Sequence, residues 1–347
     1  MKKIVIKVGS SIIAPSGKLN HSLVEWLVKD ILEAEKLGFK VILVSSGAIA
    51  CGADKLGLRK KPNDTSALMA LASVGQTILM DAYAAEFKKH KKSCAQILLT
   101  WDDFDNRKRF LNAKNTINKL LSLDITPIIN ENDAISFDEI KFGDNDRLSA
   151  LVGDLIRAQT LLILSDVEGL MDKGKIINTV AKIDEKISSL VTAKNKTFTS
   201  GGMLTKLEAG KIATCSGIKM IIASGHTKDV ISRIVKGENL GTTFLAKPAI
   251  CQARKRWIAF SKKVKGKIYI DNGAKEAILN AGRSLLCVGI TKTEQDFKRG
   301  DSVEVLDEAG NVLGCGLINY SSDELTGCRT KKFEKEVIHR DNFVKKE

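Results

Sequence analysis

The sequence predicts an α/β fold, a three-layer αβα sandwich around an open, mainly parallel sheet, followed by a small and mostly β domain. Three observations carry this reading. Short apolar runs alternate with helical stretches over about the first 245 residues. The runs are apolar at consecutive positions, as strands covered on both faces are, and not at every second one. Most end in a turn rich in Gly, Ser or Asp that opens a helix, and in an open parallel sheet such turns lie where ligands bind.

Taken in order, Lys3–Val8 is the first strand, closed by Gly9-Ser10-Ser11. His21–Leu37 follows as a helix that Gly38 terminates. Val41–Val44 is a strand, and Ser45-Ser46-Gly47 opens the next helix. A long helical region covers Ser66 to Lys91, and Ala95–Leu99 and Ile125–Asn130 are strands separated by a helix over Phe110–Leu121. Leu148, Leu151, Val152, Leu155 and Ile156 recur at helical spacing behind Gly143-Asp144-Asn145-Asp146. A lone Asp at a helix start is usually a cap, but two Asp flanking an Asn exceed what capping needs. Thr160–Leu164 and Met220–Ala223 are the last apolar runs, ended by Ser165-Asp166 and Ser224-Gly225, with a helix over Leu207–Cys215 before the second.

The pattern changes near residue 246. The first domain is therefore expected over residues 1–246, a basic linker containing Arg254-Lys255-Arg256 over 247–264, and the second domain over 265–347. In that last part short strand-like segments (Ile268–Ile270, Ser302–Leu306, Val312–Ile318) are joined by turns such as Asp307-Glu308-Ala309-Gly310-Asn311.

A chain of 347 residues, 44% hydrophobic and 28% charged, has the composition of a globular protein with room for two domains. Lys7 interrupts the first apolar run, so no secretory leader is expected, and Thr65 to Met80 is too short and polar to read as a membrane span. Seven widely spaced cysteines without a C-x-x-C argue against a disulfide framework or zinc site and fit a reducing cytoplasm. The net charge of +14 is spread over both domains: residues 247–347 hold 20 Lys/Arg against 14 Asp/Glu. Spread in this way, it reads as a solvated lysine-rich surface before it reads as a nucleic-acid footprint.

Lys7 stands among Ile4, Val5, Ile6 and Val8, where burial is expected, and lysines are seldom buried unless paired or functional. The amide-rich turn that follows it suits a phosphate. Ser46 opens a helix and is equally compatible with an N-cap. Ser200-Gly201-Gly202-Met203-Leu204-Thr205-Lys206 precedes a helix and offers backbone amides and a lysine to phosphate, although it is not a G-x-x-x-x-G-K-[ST] loop. No Ser–His–Asp set is apparent, and His226 is the one histidine that follows a strand turn.

Together these segments resemble the glutamate 5-kinase family of the amino acid kinase superfamily. The resemblance runs through Ile4-Val5-Ile6-Lys7-Val8-Gly9-Ser10-Ser11, Ser46-Gly47-Ala48-Ile49-Ala50, Arg109-Phe110-Leu111-Asn112-Ala113, Ile129-Asn130-Glu131-Asn132-Asp133-Ala134, Gly143-Asp144-Asn145-Asp146, Ser165-Asp166 and Gly201-Gly202-Met203. Arg254-Lys255-Arg256-Trp257-Ile258 lies near the domain junction, and the tail resembles a PUA domain, a β-barrel-like module first associated with RNA-modifying enzymes. The resemblance implies ATP-dependent phosphorylation of the L-glutamate side chain, the first step of proline biosynthesis, in the cytoplasm. It assigns Ser46, Asp133 and Asn145 to glutamate. To ATP it assigns Lys7, Ser165, Asp166, Ser200, Gly201, Gly202, Met203, Leu204, Thr205 and Lys206, with Lys7, Asp146 and Lys206 forming the catalytic set. It also implies Mg²⁺ with the nucleotide, a homo-oligomer, proline as feedback inhibitor and hand-off of the product to glutamate-5-semialdehyde dehydrogenase. Two places depart from the family pattern: Leu204 replaces a small residue, and Glu168–Gly174 lacks the usual tyrosine and proline.

The chemistry agrees with this inventory. A glutamate carboxylate, with a reference pKa of about 4.3, is ionised at neutral pH and needs no general base. The task is to bring one anion up to another and to stabilise the charge in transfer, which calls for lysines and amide-rich turns. Competing expectations are a uridylate or N-acetylglutamate kinase on the same fold, without the full Asn-Glu-Asn-Asp segment, and an RNA-binding protein acting through its tail. The tail has few aromatics for base stacking.

Overall fold

The computed structural model describes residues 2–58, 60, 62–135, 145–192, 202–247, 253–326 and 333–346. The chain divides into two compact units, Met1–Ala249 and Ile250–Glu347.

In the first unit the strands are β1 (Lys2–Val8), β2 (Phe39–Ser45), β3 (Cys94–Leu99), β4 (Thr126–Glu131), β5 (Thr160–Ser165), β6 (Met171–Asp172), β7 (Lys175–Ile176), β8 (Thr179–Val180), β9 (Lys219–Ser224) and β10 (Thr242–Phe244). The helices are α1 (Ser10–Ile13), α2 (His21–Lys36), α3 (Ala48–Lys55), α4 (Thr65–Lys89), α5 (Trp101–Asp105), α6 (Arg107–Ser122), α7 (Asp146–Ile156), α8 (Glu185–Thr192), α9 (Met203–Cys215) and α10 (Val230–Val235). Eight strands form one sheet in the order β3-β4-β2-β1-β5-β9-β10-β8. The six from β3 to β9 are parallel, and β10 runs antiparallel to β9.

The expected central strands are all present, and their burial explains why they read as unbroken apolar runs. Every residue of β4 and β5 is buried, as are Ile4 to Val8 of β1. Alternation then separates the two faces. Ile4, Ile6 and Val8 pack with Val24, Leu27, Val28 and Ile31 of α2, Leu79, Tyr83 and Phe87 of α4, and Val230, Ile231 and Ile234 of α10. Lys7 faces the other way, toward the layer containing α7 and α9. Each fully buried Leu or Ile contributes about 1.5–3 kcal/mol, so the central sheet is a rigid platform.

By length and composition α4 is apolar enough to span a membrane. Here Leu68, Leu71, Leu79, Tyr83 and Phe87 face the protein interior. Its crossing with α3 is backbone on backbone: a Cβ on Gly75 would stand 1.8 Å from Ala48 O, and one on Gly52 would stand 2.0 Å from Leu71 O. Among the pieces that periodicity does not reveal are the single turns α1 and α5, the helix α8 and the two- and three-residue strands. The atypical 168–174 segment contains one of them. Its β6–β7 hairpin turns through Lys173 and Gly174, both at positive φ, as a tight two-residue hairpin requires.

A buried carboxylate fastens two distant helices. Asp30 of α2 is 2% exposed and accepts from the backbone N–H of Ile231 (2.7 Å) and Ser232 (2.9 Å) at the start of α10. Burial pushes its carboxyl pKa up, and the hydrogen bonds from Ser232 and Ile231 oppose that shift. Asp30→Ala orphans both N–H groups and is expected to cost about 2–4 kcal/mol in urea unfolding, with Asp30→Asn costing less because one acceptor oxygen remains. Equal losses for the two variants would show that the volume of the side chain matters and its oxygens do not.

In the second unit, five strands follow the order β12-β11-β13-β14-β15, with β11 at Val264–Ile270, β12 at Ile290–Glu294, β13 at Ser302–Asp307, β14 at Val312–Leu317 and β15 at Phe343–Lys345. They enclose a core of their own, including Ile268, Ile270, Phe297, Val303, Val305, Val337 and Ile338. Cys51, Cys94, Cys215 and Cys315 are free thiols, and Cys287 is disulfide-bonded.

Candidate active site

Parallel strands bring their carboxyl ends to one edge of the sheet, and the turns leaving β1, β2, β4, β5 and β9 collect there. In register, Lys7 pairs with Val44 and Ile163, and Ser165 pairs with Ser224. Backbone bonds knit the turns together: Gly9 N–H donates to Leu164 O, Ser46 N–H to Val8 O, and Gly225 N–H to Ser165 O.

Three charges lie at the centre. Lys7 Nζ is 2.7 Å from Asp146 Oδ1, and Lys206 Nζ is 3.1 Å from Asp146 Oδ2. Asp146 is fully buried, and the two lysines are 2% and 5% exposed. Thr205 Oγ1 donates toward the same Oδ2 at 3.0 Å and lies 2.8 Å from Gly202 O. Lys7 comes from the last turn-facing position of a buried strand, Asp146 from the first residue of α7, and Lys206 from the first turn of α9. Two ammonium groups share one carboxylate in a buried place, and a phosphoryl oxygen there would meet them at low dielectric.

A second, neutral cluster adjoins the β2 turn. Asn145 Nδ2, with two hydrogens to give, lies within hydrogen-bond reach of Asn130 Oδ1 (2.8 Å), Ser46 Oγ (2.9 Å) and Ser45 O (3.2 Å). Asn130 Nδ2 donates in turn to Gln76 Oε1 at 2.8 Å. Ser45 Oγ meets the buried Tyr83 hydroxyl at 2.9 Å, and burial raises that phenol's pKa well above its ordinary value. Gly47 caps the start of α3 at φ 108°, and a Cβ there would strike Ile13 Cγ2 at 2.6 Å, so this turn demands glycine.

The structure thus joins Lys7, Asp146, Thr205 and Lys206 in one cluster, and Ser46 with Asn145 in another. Asp133 lies on the turn leaving β4, three residues beyond Asn130. Ser165 closes β5 and donates to Asp166 Oδ1 at 2.9 Å, leaving Asp166 exposed at the sheet's edge. Gly202 caps α9, Met203 follows it, and Leu204 is 47% exposed, so its larger side chain finds room in solvent. Ser200 and Gly201 lie outside the described residues, as does Asp144. Sequence reasoning missed Gln76, Asn130, Ser45 and Tyr83 as members of the site. Polar side chains within apolar elements were their available signal.

Comparison with known proteins identifies the family. Residues 2–224 match the amino acid kinase family, and residues 266–340 match the PUA domain. A glutamate 5-kinase from Thermoanaerobacter sp. (strain X514) is 44% identical, covering 99% of this chain and 97% of its own. One from Caldanaerobacter subterraneus subsp. tengcongensis is 43% identical with the same coverage, and one from Nitrosospira multiformis is 42% identical over 99% and 97%. With such likeness sustained across both units, the chain belongs to the glutamate 5-kinase family of amino acid kinases, with a PUA domain at its carboxyl end.

Proposed function

We propose that this protein transfers the γ-phosphoryl group of ATP to the side-chain carboxylate of L-glutamate, giving L-glutamyl 5-phosphate and ADP. The observation that carries the reading is the buried Lys7–Asp146–Lys206 cluster at the carboxyl edge of the sheet, in a chain whose full-length relatives are glutamate 5-kinases. A bond forms between a glutamate Oε and the γ-phosphorus while the bond from that phosphorus to the β,γ-bridging oxygen breaks. The nucleophile arrives already ionised. The protein's part is to hold two anions in line and to stabilise negative charge on the transferring group.

Position supports the following roles. Lys7 and Lys206 face the transferred phosphoryl, and Asp146, committed to both ammonium groups and to Thr205, keeps them fixed and apart. Ser46, Asn145 and Asp133 hold the amino acid, with Asp133 suited to its ammonium group. The turn Ser200–Lys206, with Ser165 and Asp166, holds the nucleotide. Mg²⁺ bound with the nucleotide would supply further charge neutralisation beside Lys7 and Lys206. The same reading includes proline as an inhibitor at or near the glutamate pocket, a homo-oligomer, hand-off of the acyl phosphate to glutamate-5-semialdehyde dehydrogenase, and a cytoplasmic enzyme.

With Mg-ATP and L-glutamate the purified protein is expected to release ADP, and hydroxylamine is expected to trap the product as a hydroxamate. Activity confined to UMP or N-acetylglutamate in the same coupled assay would overturn the assignment.

A further inference from the structure

We propose that Gln76 is a positioning residue for the amino-acid substrate: through Asn130 it locks the Asn145 amide with its NH₂ turned into the protein, leaving the Asn145 carbonyl to accept from the substrate's α-ammonium group. This inference rests on the placement of Asn145 in the glutamate pocket.

Two backbone groups fix the direction of the relay. Asn145 Nδ2 lies 3.2 Å from Ser45 O, and a carbonyl oxygen only accepts, so the NH₂ end must face it. At the other amide, Asn130 Oδ1 accepts from the Glu131 N–H at 2.9 Å, and a backbone N–H only donates. Asn130 therefore points its oxygen at Asn145 (2.8 Å) and its NH₂ at Gln76 Oε1 (2.8 Å). Gln76, Asn130 and Asn145 are 9%, 3% and 7% exposed, leaving little room for water to replace a lost partner.

The two N–H groups of Asn145 are taken up inside the protein, with Asn130 Oδ1, Ser46 Oγ and Ser45 O all within 3.2 Å of Nδ2, whereas its Oδ1 takes no donor among the described residues. An amide held this way can only accept from a ligand. It favours an ammonium group and disfavours a carboxylate at that spot. Without the Gln76 oxygen, the Asn130 NH₂ has no acceptor among the described residues. Asn130 is then held at one end only, and Asn145 loses the firmness of its closest tie. Gln76 acts at one remove, since its oxygen is spent on Asn130.

The test compares L-glutamate with glutarate, the same dicarboxylate without the ammonium group, in wild type, Gln76→Met and Gln76→Glu. Methionine keeps the length and helix propensity and removes the acceptor, while glutamate keeps an acceptor oxygen. Gln76→Met is expected to raise the glutamate KM about 10-fold or more, to leave the ATP KM within about 2-fold, and to shrink the glutamate-to-glutarate ratio of kcat/KM about 10-fold. Gln76→Glu is expected to hold that ratio within about 3-fold of wild type. A structural defect alone lowers both substrates alike, so an unchanged ratio in Gln76→Met overturns the proposal, as does a Gln76→Glu variant equally impaired. Wild type supplies an arm that needs no variant: turnover of glutarate within about 3-fold of glutamate would also overturn it. Wild type that phosphorylates only UMP or N-acetylglutamate would instead remove the underlying reading of the pocket.

Discussion

Lys206→Ala and Lys7→Ala are each expected to lower kcat by at least about 100-fold, while the glutamate KM and the melting temperature change much less. Both ammonium groups are held within 3.1 Å of one buried carboxylate and are already placed before substrate arrives. Donors fixed in advance act most strongly on charge that develops during transfer, so their loss falls on turnover. Steady-state ADP release together with a thermal melt checks both points. An undiminished kcat in either variant would remove that lysine from the catalytic set. Asp146→Ala probes the same cluster from its centre and has a different signature. It leaves two buried ammonium groups without their shared counter-ion, so a loss of about 3–5 kcal/mol in stability should accompany the loss of activity.

Asp133→Ala is expected to raise the glutamate KM about 10- to 100-fold, with the ATP KM nearly unchanged. Asp133 lies on the turn leaving β4, three residues beyond Asn130, which Asn145 ties to the Ser46 turn, and its proposed partner is the substrate's ammonium group. Where proline competes for an overlapping site, the same variant should weaken its inhibition in parallel. Should the ATP KM rise while the glutamate KM stays put, the division of the cleft between amino acid and nucleotide would be wrong.

The sheet was legible because its strands are buried on both faces. Burial of every residue in β4 and β5 leaves an apolar run that no surface alternation interrupts. Lys7 was legible for the complementary reason: a charge in such a run is costly and needs a partner, which the structure supplies as Asp146. What stayed hidden has short-range or long-range causes. A single turn such as α5 and the two-residue strand β8 are too brief to show a period. Gln76 sits in α4, 54 positions before Asn130 in sequence, and only the folded sheet makes them neighbours. Helix α4 also lacks a clear apolar stripe, because glycine and alanine at its crossing with α3 take positions that larger side chains would otherwise mark.

That crossing has a consequence for anyone wishing to alter the substrate range. Gly75 adjoins Gln76, and its contact with Ala48 O leaves no gap in which a Cβ could fit. Ala48 begins α3 two residues after Ser46. The separation between the Ser46 turn and the Gln76 amide is therefore gauged by main chain pressed against main chain, and trimming side chains around the pocket cannot adjust it. A roomier pocket would have to come from redrawing the α3–α4 elbow as a unit, with both helices moved together.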